Sequence, residues 1–275
     1  MTGATAIPGP TGHDTTVWVV LPSFNEGAPL QALVEDIHRV LAGLQHHIVL
    51  VDDGSTDGSA DWLTAAPDDR LTLLRHGRNR GLGRTLNDGL LAAVRHAAAG
   101  EADVVVVMDA DGSHRPDDIP RLLQALEGHA PADVVVASRY RRGSRVKGLA
   151  WHRQVFSLGA AVLFQAFVGV PGVRDYTCGF RAYRLGALWR LFLAEPAAVR
   201  RPGFGCMAEL LVALHRQGAG VCEIPFALRY DLKESRSKLA LWDTICETLG
   251  LLADMTFRRH VTPRTSISIR KPRSV

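Results

Sequence analysis

Short apolar runs alternate with amphipathic stretches through the first half of the chain. Apolar runs of five or six residues predict strands at 16–21, 47–51, 71–75, 103–108 and 133–137. Apolar residues with helical spacing lie between these runs and predict helices at 30–41, 82–99 and 116–126. The last two strands contain unbroken valine runs, which are typical of strands buried on both faces. This alternation predicts an α/β fold with a mainly parallel sheet flanked by helices.

The pattern changes after residue 137, where a basic loop, an apolar helix and shorter mixed elements follow. The division that we expect is a flexible N-terminal segment at 1–14, one α/β domain at 15–238, an amphipathic helix at 239–257 and a basic C-terminal tail at 258–275. The apolar helix is predicted at 155–170. For this helix and for the one at 239–257, packing in the core is the first interpretation and contact with a membrane surface is the second.

Acidic and basic residues are unevenly distributed along the chain. The sequence has 32 Lys and Arg residues against 28 Asp and Glu residues, a net charge of +4. Seven basic and no acidic residues lie between Asp133 and Asp175, and six basic and no acidic residues lie in the tail. The rest of the chain therefore has a net charge of −9. A mostly acidic body argues against a nucleic-acid partner. A non-enzymatic module that binds nucleic acid through the tail is therefore the least favoured hypothesis.

Cysteine spacing and hydropathy indicate the compartment. The four cysteines lie far apart without a zinc-type spacing, which indicates reduced thiols in the cytoplasm. The first fourteen residues lack the basic and apolar regions of a signal peptide. The longest uncharged apolar stretch, 155–170, is shorter than the roughly 20 residues that a spanning helix needs. We expect a cytoplasmic protein without a transmembrane helix that can associate peripherally with a membrane face.

Polar and acidic residues follow three of the predicted strands. They are Pro22, Phe24 and Glu26 after the first strand, Asp52 and Asp53 after the second, and Asp109 and Asp111 after the fourth. The carboxyl ends of parallel strands meet at one edge of a sheet, which is where ligands bind in open α/β folds. Asp52, nearest its strand end, is placed to accept hydrogen bonds from a base or a ribose.

Asp109 and Asp111 flank one small residue directly after a buried strand. This spacing lets both carboxylates reach one hard cation, and Mg²⁺ and Mn²⁺ favour a few carboxylates together with phosphate oxygens. The alternative is an acidic turn that caps the helix beginning near Pro116. Acidic residues at the other two strand ends favour the metal site.

Six motifs occur in order between about residues 16 and 240. They are V-V-L-P-S-F-N-E, V-D-D-G-S-T-D-G-S, N-x-G-L-G, V-M-D-A-D-G-S-H-R-P, A-S-R-Y and D-Y-T-C-G-F-R-A-Y. Together they resemble the inverting family 2 glycosyltransferases, and most of all the branch that contains the dolichyl- and polyprenyl-phosphate mannose synthases. The resemblance implies a GT-A fold for the α/β domain and an enzyme that uses a nucleotide sugar.

The resemblance also implies residues for the donor. Those that would bind the nucleotide are Pro22, Phe24, Glu26, Asp52, Asp53, Asp109, Ala110, Arg229 and Lys238. Asp109 and Asp111 would hold Mg²⁺ or Mn²⁺ against the diphosphate, which makes Asp111 a catalytic residue. Family members often carry Gln where this chain has Ser113, so Ser113 is left out of the metal ligands. The donor expected first is GDP-mannose, with UDP-glucose or UDP-N-acetylglucosamine as the alternative.

For the acceptor, the resemblance implies a polyprenyl phosphate whose phosphate is bound by Arg139, Arg153 and Ser157. Arginine suits this role because its planar guanidinium can bind phosphate oxygens in pairs. A phosphate acceptor is already an anion and needs no general base. The alternative acceptor, a hydroxyl of a soluble metabolite or glycan, needs one, and Asp175 or Glu209 is the candidate.

Overall fold

The central feature of the computed structural model is a seven-stranded sheet. The structure describes residues 15–65, 67–97, 103–128, 132–148, 151–201, 203, 205–232 and 250. The strands of the large sheet are β1 (Val17–Ser23), β2 (His46–Asp52), β3 (Leu71–Arg75), β4 (Val104–Val107), β5 (Val134–Ser138), β7 (Arg181–Arg184) and β8 (Val221–Pro225). A small parallel sheet pairs β6 (Arg145–Lys147) with β9 (Ala227–Arg229).

The strands of the large sheet are ordered β3-β2-β1-β4-β7-β5-β8. β1, β2, β3 and β4 are parallel neighbours, and β5 pairs with β8 in parallel. β7 runs antiparallel between β4 and β5. The carboxyl ends of β1, β2, β4 and β5 therefore meet at one edge, and the segment before β7 enters from that same edge.

Helices flank the sheet, as expected for α/β connections. They are α1 (Pro29–Val40), α2 (Trp62–Ala65), α3 (Leu82–His96), α4 (Ile119–Leu126), α5 (Trp151–Phe167), α6 (Leu185–Ala194) and α7 (Gly205–Arg216). A 3₁₀ turn at Pro116–Asp118 precedes α4. In α3, a Cβ at Gly89 would lie 2.6 Å from Val20 Cγ1, so a glycine is needed for the helix to approach β1 this closely.

The predicted alternation is confirmed within the described residues. All five predicted strands and the three predicted helices occur, with strand ends shifted by at most two residues. The helix predicted at 116–126 begins as a 3₁₀ turn at Pro116–Asp118, and α4 follows from Ile119. The segments at 1–14 and 258–275 lie outside the described residues, as does 239–257 apart from Gly250, so those boundaries stay predictions.

The core-packing interpretation of the apolar helix holds for one side of it only, because Phe164, Val168 and Val170 are buried in the core while other apolar residues of the helix are exposed. In α5, Phe164 is the one buried side chain among residues 157–167, and its ring stacks on Tyr176 with centroids 5.1 Å apart. Leu158, Val162 and Phe167 point outward and are 54%, 61% and 49% exposed. Among the described residues, no helix has the length and hydropathy to cross a membrane.

Candidate active site

The loops after β1 and β2 are joined by hydrogen bonds. Asn25 N–H donates to Ser55 Oγ at 2.9 Å, and Thr56 N–H donates to Asn25 Oδ1 at 2.8 Å. Asn25 has φ +52°, a left-handed conformation that asparagine tolerates better than most residues. Pro22 is buried in β1, and Phe24 and Glu26 are half-buried on this loop. The two strand-end motifs therefore form one surface.

Asp52 lies at the end of β2 and is 1% exposed. Its Oδ1 accepts a hydrogen bond from Ser55 N–H at 2.9 Å, and its Oδ2 lies 3.0 Å from Arg75 Nε. Asp52, Ser55 and Arg75 are among the residues that line a cavity of about 120 Å³. The structure thus places Asp52 at a cavity that contains both hydrogen-bond acceptors and donors.

Asp53 holds the N-x-G-L-G segment. Its Oδ1 accepts from Arg80 N–H and its Oδ2 from Gly81 N–H, each at 2.9 Å. His76 Nδ1 lies 2.7 Å from the same Oδ1. Gly54, with φ +76°, lies against this segment so closely that a Cβ would be 2.5 Å from the carbonyl carbon of Arg78. The second aspartate of the motif therefore sets the backbone that begins α3.

Asp109 and Asp111 follow β4. Asp109 N–H donates to His114 Nδ1 at 3.0 Å, and the buried His114 ring stacks on Phe180 with centroids 5.1 Å apart. Asp111 Oδ1 accepts from both the backbone N–H and the hydroxyl of Ser113, at 3.0 and 2.6 Å. Ala110 between the two aspartates is buried. Ser113 therefore orients the Asp111 carboxylate, which is a role that its place in the motif did not reveal.

The donor atoms at this strand end fit a hard divalent cation. Asp109 and Asp111 supply carboxylate oxygens, and the Asp109 side chain is 24% exposed. No group of three or more His, Cys, Asp and Glu side chains suited to a metal occurs in the described part of the chain. Mg²⁺ is commonly bound by one or two carboxylates, with water and substrate phosphates completing its shell. A two-carboxylate site of this kind is compatible with Mg²⁺ or Mn²⁺ bound together with a diphosphate.

Arg139 and Asp175 form a buried two-point ion pair. Arg139 Nε and Nη2 lie 2.8 and 2.6 Å from Asp175 Oδ2 and Oδ1, and Arg139 N–H also donates to Oδ2. Burial alone would raise the pKa of Asp175, but the charge and hydrogen bonds of Arg139 outweigh it and lower that pKa. Burial would lower the pKa of Arg139, and the Asp175 charge raises it instead. Both groups are therefore charged at neutral pH.

Tyr140 links Ser157 to the ion pair of Arg139 and Asp175, because it contacts both Ser157 and Arg139. The Tyr140 hydroxyl lies 2.6 Å from Ser157 Oγ, and the Arg139 guanidinium carbon lies 5.5 Å from the centre of the Tyr140 ring. Burial raises the pKa of Tyr140, so its hydroxyl keeps its proton. Arg153 lies on α5 one helical turn before Ser157, although its side chain is outside the described part. The structure therefore brings Arg139 and Ser157 into one cluster.

Arg229 and Glu209, two further predicted residues, have structural partners. Arg229 N–H donates to the Ser113 carbonyl at 3.1 Å, which joins β9 to the loop after β4, and its guanidinium pairs with Asp231. Glu209 Oε2 accepts from the backbone N–H groups of Arg200 and Arg201. Lys238 lies outside the described residues.

Two further residues shape the site and were not predicted. Glu223 Oε1 accepts from the backbone N–H groups of Arg174 and Asp175, each at 2.7 Å. Arg181 is fully buried and donates to the carbonyls of Tyr176, Cys178 and Met207 at 2.7–2.8 Å. Arg181 lies in the D-Y-T-C-G-F-R-A-Y motif and Glu223 lies in β8, but the sequence does not reveal which backbone groups the two side chains bind.

The segment between Asp175 and Arg181 joins the two parts of the site. Asp175 at its start binds Arg139, while Gly179 near its end faces the loop after β4. A Cβ at Gly179 would lie 2.6 Å from Asp109 Oδ1. The Arg139 cluster and the carboxylates after β4 therefore contact the same short segment.

Comparisons with known proteins agree with the motifs. The model of the family described as glycosyl transferase family 2 matches residues 18–192. The polyprenol monophosphomannose synthase of Mycolicibacterium smegmatis is 33% identical over 238 residues, which cover 82% of this chain and 85% of that protein. The undecaprenyl-phosphate mannosyltransferase of Micrococcus luteus is 30% identical over 227 residues, covering 80% of this chain and 86% of that protein.

A solved structure has the same fold. Glucosyl-3-phosphoglycerate synthase from Mycobacterium tuberculosis, in complex with Mn²⁺, uridine diphosphate and phosphoglyceric acid, matches with a TM-score of 0.62. The match covers 91% of this chain and 80% of that chain at 20% sequence identity. At this identity the likeness bears on the fold alone, and the expected GT-A architecture is confirmed.

Proposed function

The chain belongs to glycosyl transferase family 2, and from this premise we propose that it transfers mannose from GDP-mannose to a polyprenyl phosphate with inversion at the anomeric carbon. That it is a glycosyltransferase follows from the family. The acceptor proposal rests chiefly on the cluster of Arg139, Tyr140 and Ser157 beside the carboxylates after β4. The names of the two relatives support it.

On the donor side, Asp109 and Asp111 would hold the divalent cation. When bound, such a cation supplies Lewis-acid stabilisation of the charge on the departing nucleoside diphosphate. Residues of this chain orient the metal ligands and bind the nucleotide. Ser113 orients Asp111, and Asp53 holds the segment that begins α3. Asp52 and Arg75 offer acceptors and donors to the nucleoside, and Pro22, Phe24 and Glu26 lie on the adjoining loop.

On the acceptor side, the ionic state of the site favours a phosphate over a hydroxyl. Asp175 is fully buried, both of its oxygens bind Arg139, and its pKa is lowered, so it is a weak base. Glu209 is bonded to two backbone amides. A phosphate acceptor needs neither as a base, because its oxygen already carries negative charge. Asp175 then acts as a positioning residue that holds the Arg139 guanidinium toward the acceptor.

The test is a matrix of donors and acceptors with purified protein. GDP-mannose, UDP-glucose and UDP-N-acetylglucosamine are each combined with a short-chain polyprenyl phosphate, with the corresponding free alcohol, and with Mg²⁺, Mn²⁺ or a chelator. We expect transfer from GDP-mannose to the phosphate only, and loss of transfer with the chelator. Transfer to the alcohol, or none to the phosphate with any donor, contradicts the proposal.

Matched variants test the donor site. Asp111→Asn removes a charge from the strand end, and we expect transfer to fall by at least about 100-fold because charge stabilisation by a metal is worth several kcal/mol. Asp117→Asn, in an exposed residue of the following 3₁₀ turn, is the control and should keep nearly full activity. Equal activity of the two variants contradicts the metal assignment.

A further inference from the structure

A histidine beside the candidate donor site contacts two carboxylates at once. His76 directly follows β3, and its side chain is 8% exposed. Its Nδ1 lies 2.7 Å from Asp53 Oδ1, and its Nε2 lies 3.2 Å from Asp88 Oδ2 on α3. The imidazole therefore connects the end of β2 to α3.

The partners of the two carboxylates indicate which protons this ring carries. Asp53 accepts hydrogen bonds from the backbone N–H groups of Arg80 and Gly81, each at 2.9 Å. Asp88 Oδ2 accepts from Arg84 Nε at 2.8 Å. Ionised carboxylates accept hydrogen bonds and do not donate them. Both contacts of the imidazole are therefore hydrogen bonds only when each ring nitrogen carries a proton, and such a ring is a cation.

The charged groups around the ring favour this cation. They are Asp53 at the end of β2, Asp88 and Arg84 on α3, and Arg80 before that helix. Both arginines contact Asp88, at 2.8 and 3.8 Å, and are partly exposed. Among the described residues, the imidazole is the one basic side chain that pairs with the buried Asp53 carboxylate. Loss of the second ring proton therefore breaks one of the two links.

The same histidine also supports the candidate nucleoside cavity. Its backbone N–H donates to the Asp52 carbonyl at 2.8 Å. The preceding residue, Arg75, pairs with the Asp52 carboxylate, and both of these side chains line the cavity. Successive side chains point to opposite sides of a strand. Asp52 and Arg75 therefore face the cavity, while Asp53 and His76 face α3.

We propose that His76 is a positioning residue for the nucleotide sugar. In its cationic form it bridges Asp53 and Asp88. The bridge fixes the start of α3 and the cavity wall formed by Asp52 and Arg75, and the affinity for the donor falls when the ring loses a proton. The charge of imidazole changes between about pH 5 and pH 8, which makes this loss accessible. The proposal rests on the proposed function, because it concerns how the donor is bound.

Steady-state kinetics from about pH 6 to about pH 8 test the proposal. The donor is the nucleotide sugar that the wild type uses, and its diphosphate, esterified at both ends, does not titrate in this range. A water-soluble polyprenyl phosphate is kept at saturation. In the wild type we expect KM for the donor to rise by about fivefold or more with pH, because one hydrogen bond to a charged group is lost.

Substitutions of the histidine should remove this pH dependence. His76→Asn places an N–H near the Nδ1 position and His76→Gln places one near the Nε2 position, so each can keep one of the two links. We expect both to have a donor KM about fivefold above that of the wild type at low pH, constant with pH, and a kcat within about twofold. The control is His47→Gln at the amino end of β2, where the ring contacts Thr72 Oγ1, and it should keep the wild-type profile.

A third variant keeps the histidine and also serves if substitution of the histidine prevents folding. Asp88→Asn removes one of the two negative charges that favour the cation. The midpoint of the donor KM profile should therefore move to lower pH.

Several results overturn the proposal. One is a donor KM of the wild type that does not vary with pH, and another is a pH dependence that persists in His76→Gln. Lower melting temperatures of the His76 variants with an unchanged donor KM mean that the bridge is only structural. Absence of transfer at every pH contradicts the proposed function instead, and the pH dependence of GDP-mannose binding, measured by calorimetry, then decides whether the bridge acts on the donor.

Discussion

The two parts of the candidate site are built in different ways. At the ends of β2 and β4, carboxylates bind backbone amides of nearby turns, as Asp53 does with Arg80 and Gly81. On the other side, Arg139 is held by side chains distant in sequence, through Asp175 and through Tyr140 to Ser157. The first part is set by backbone geometry, and the second by a buried ion pair and contacts between side chains. We expect the second to depend more strongly on single charged groups.

The largest effect that we expect concerns the ion pair. Asp175→Asn leaves the Arg139 guanidinium largely buried without a countercharge, which typically costs about 3–5 kcal/mol. Asp231→Asn removes the exposed partner of Arg229 and should lower the unfolding free energy much less, because water screens an exposed ion pair. Urea denaturation of the two variants measures both. Similar costs would remove the distinction between a buried and an exposed pair.

The same pair predicts a pH dependence of stability. The pKa of Asp175 is lower in the folded protein than in the unfolded chain, so its contribution is fully present above the unfolded pKa of about 3.9. It is lost as the pH falls through the lowered folded pKa. The unfolding free energy of the wild type should therefore fall more steeply below about pH 4 than that of Asp175→Asn, which lacks the group. Parallel curves in denaturant titrations contradict this.

Backbone geometry at the donor edge gives an intermediate effect. Gly54 and Gly112 both have φ +76°, but only at Gly54 would a Cβ meet backbone atoms, at 2.5 Å from Arg78. We expect Gly54→Ala to cost about 2–4 kcal/mol, because the strain of the left-handed conformation and the clash add together. Gly112→Ala should cost about 1 kcal/mol from conformation alone. Thermal unfolding compares the two, and equal shifts would show that the close approach contributes little.

The smallest effect tests the link between Tyr140 and Ser157. Tyr140→Phe removes one hydrogen bond and should lower stability by about 1 kcal/mol. If Ser157 contacts the acceptor, KM for the polyprenyl phosphate should rise severalfold while KM for the donor stays constant. Ser157→Ala should give the same pattern. A change in donor KM in either variant contradicts the division of the site into two parts.

Much of the fold and of the donor edge could be predicted from the sequence. The valine runs of β4 and β5 and the periodicity of α1 and α3 are local signals, and parallel order brings their strand ends together. The positions of Asp52, Asp53 and Asp109 at those ends followed directly. The separate roles of Asp52 and Asp53 could not be predicted from the sequence. Asp52 pairs with Arg75 and Asp53 binds backbone amides, and two adjacent aspartates in one motif do not show which does which.

The sequence by itself determined the five strands from β1 to β5 and the main helices between them, the strand-end motifs and the family, because each depends on local periodicity or on short runs of residues. Only the tertiary structure decided the antiparallel insertion of β7, the burial of Arg181 and the ion pair of Arg139 with Asp175. It also decided that α5 turns some of its apolar residues outward. These features depend on which distant residues share a space, and an apolar helix has the same sequence pattern whether a core or a bilayer covers it.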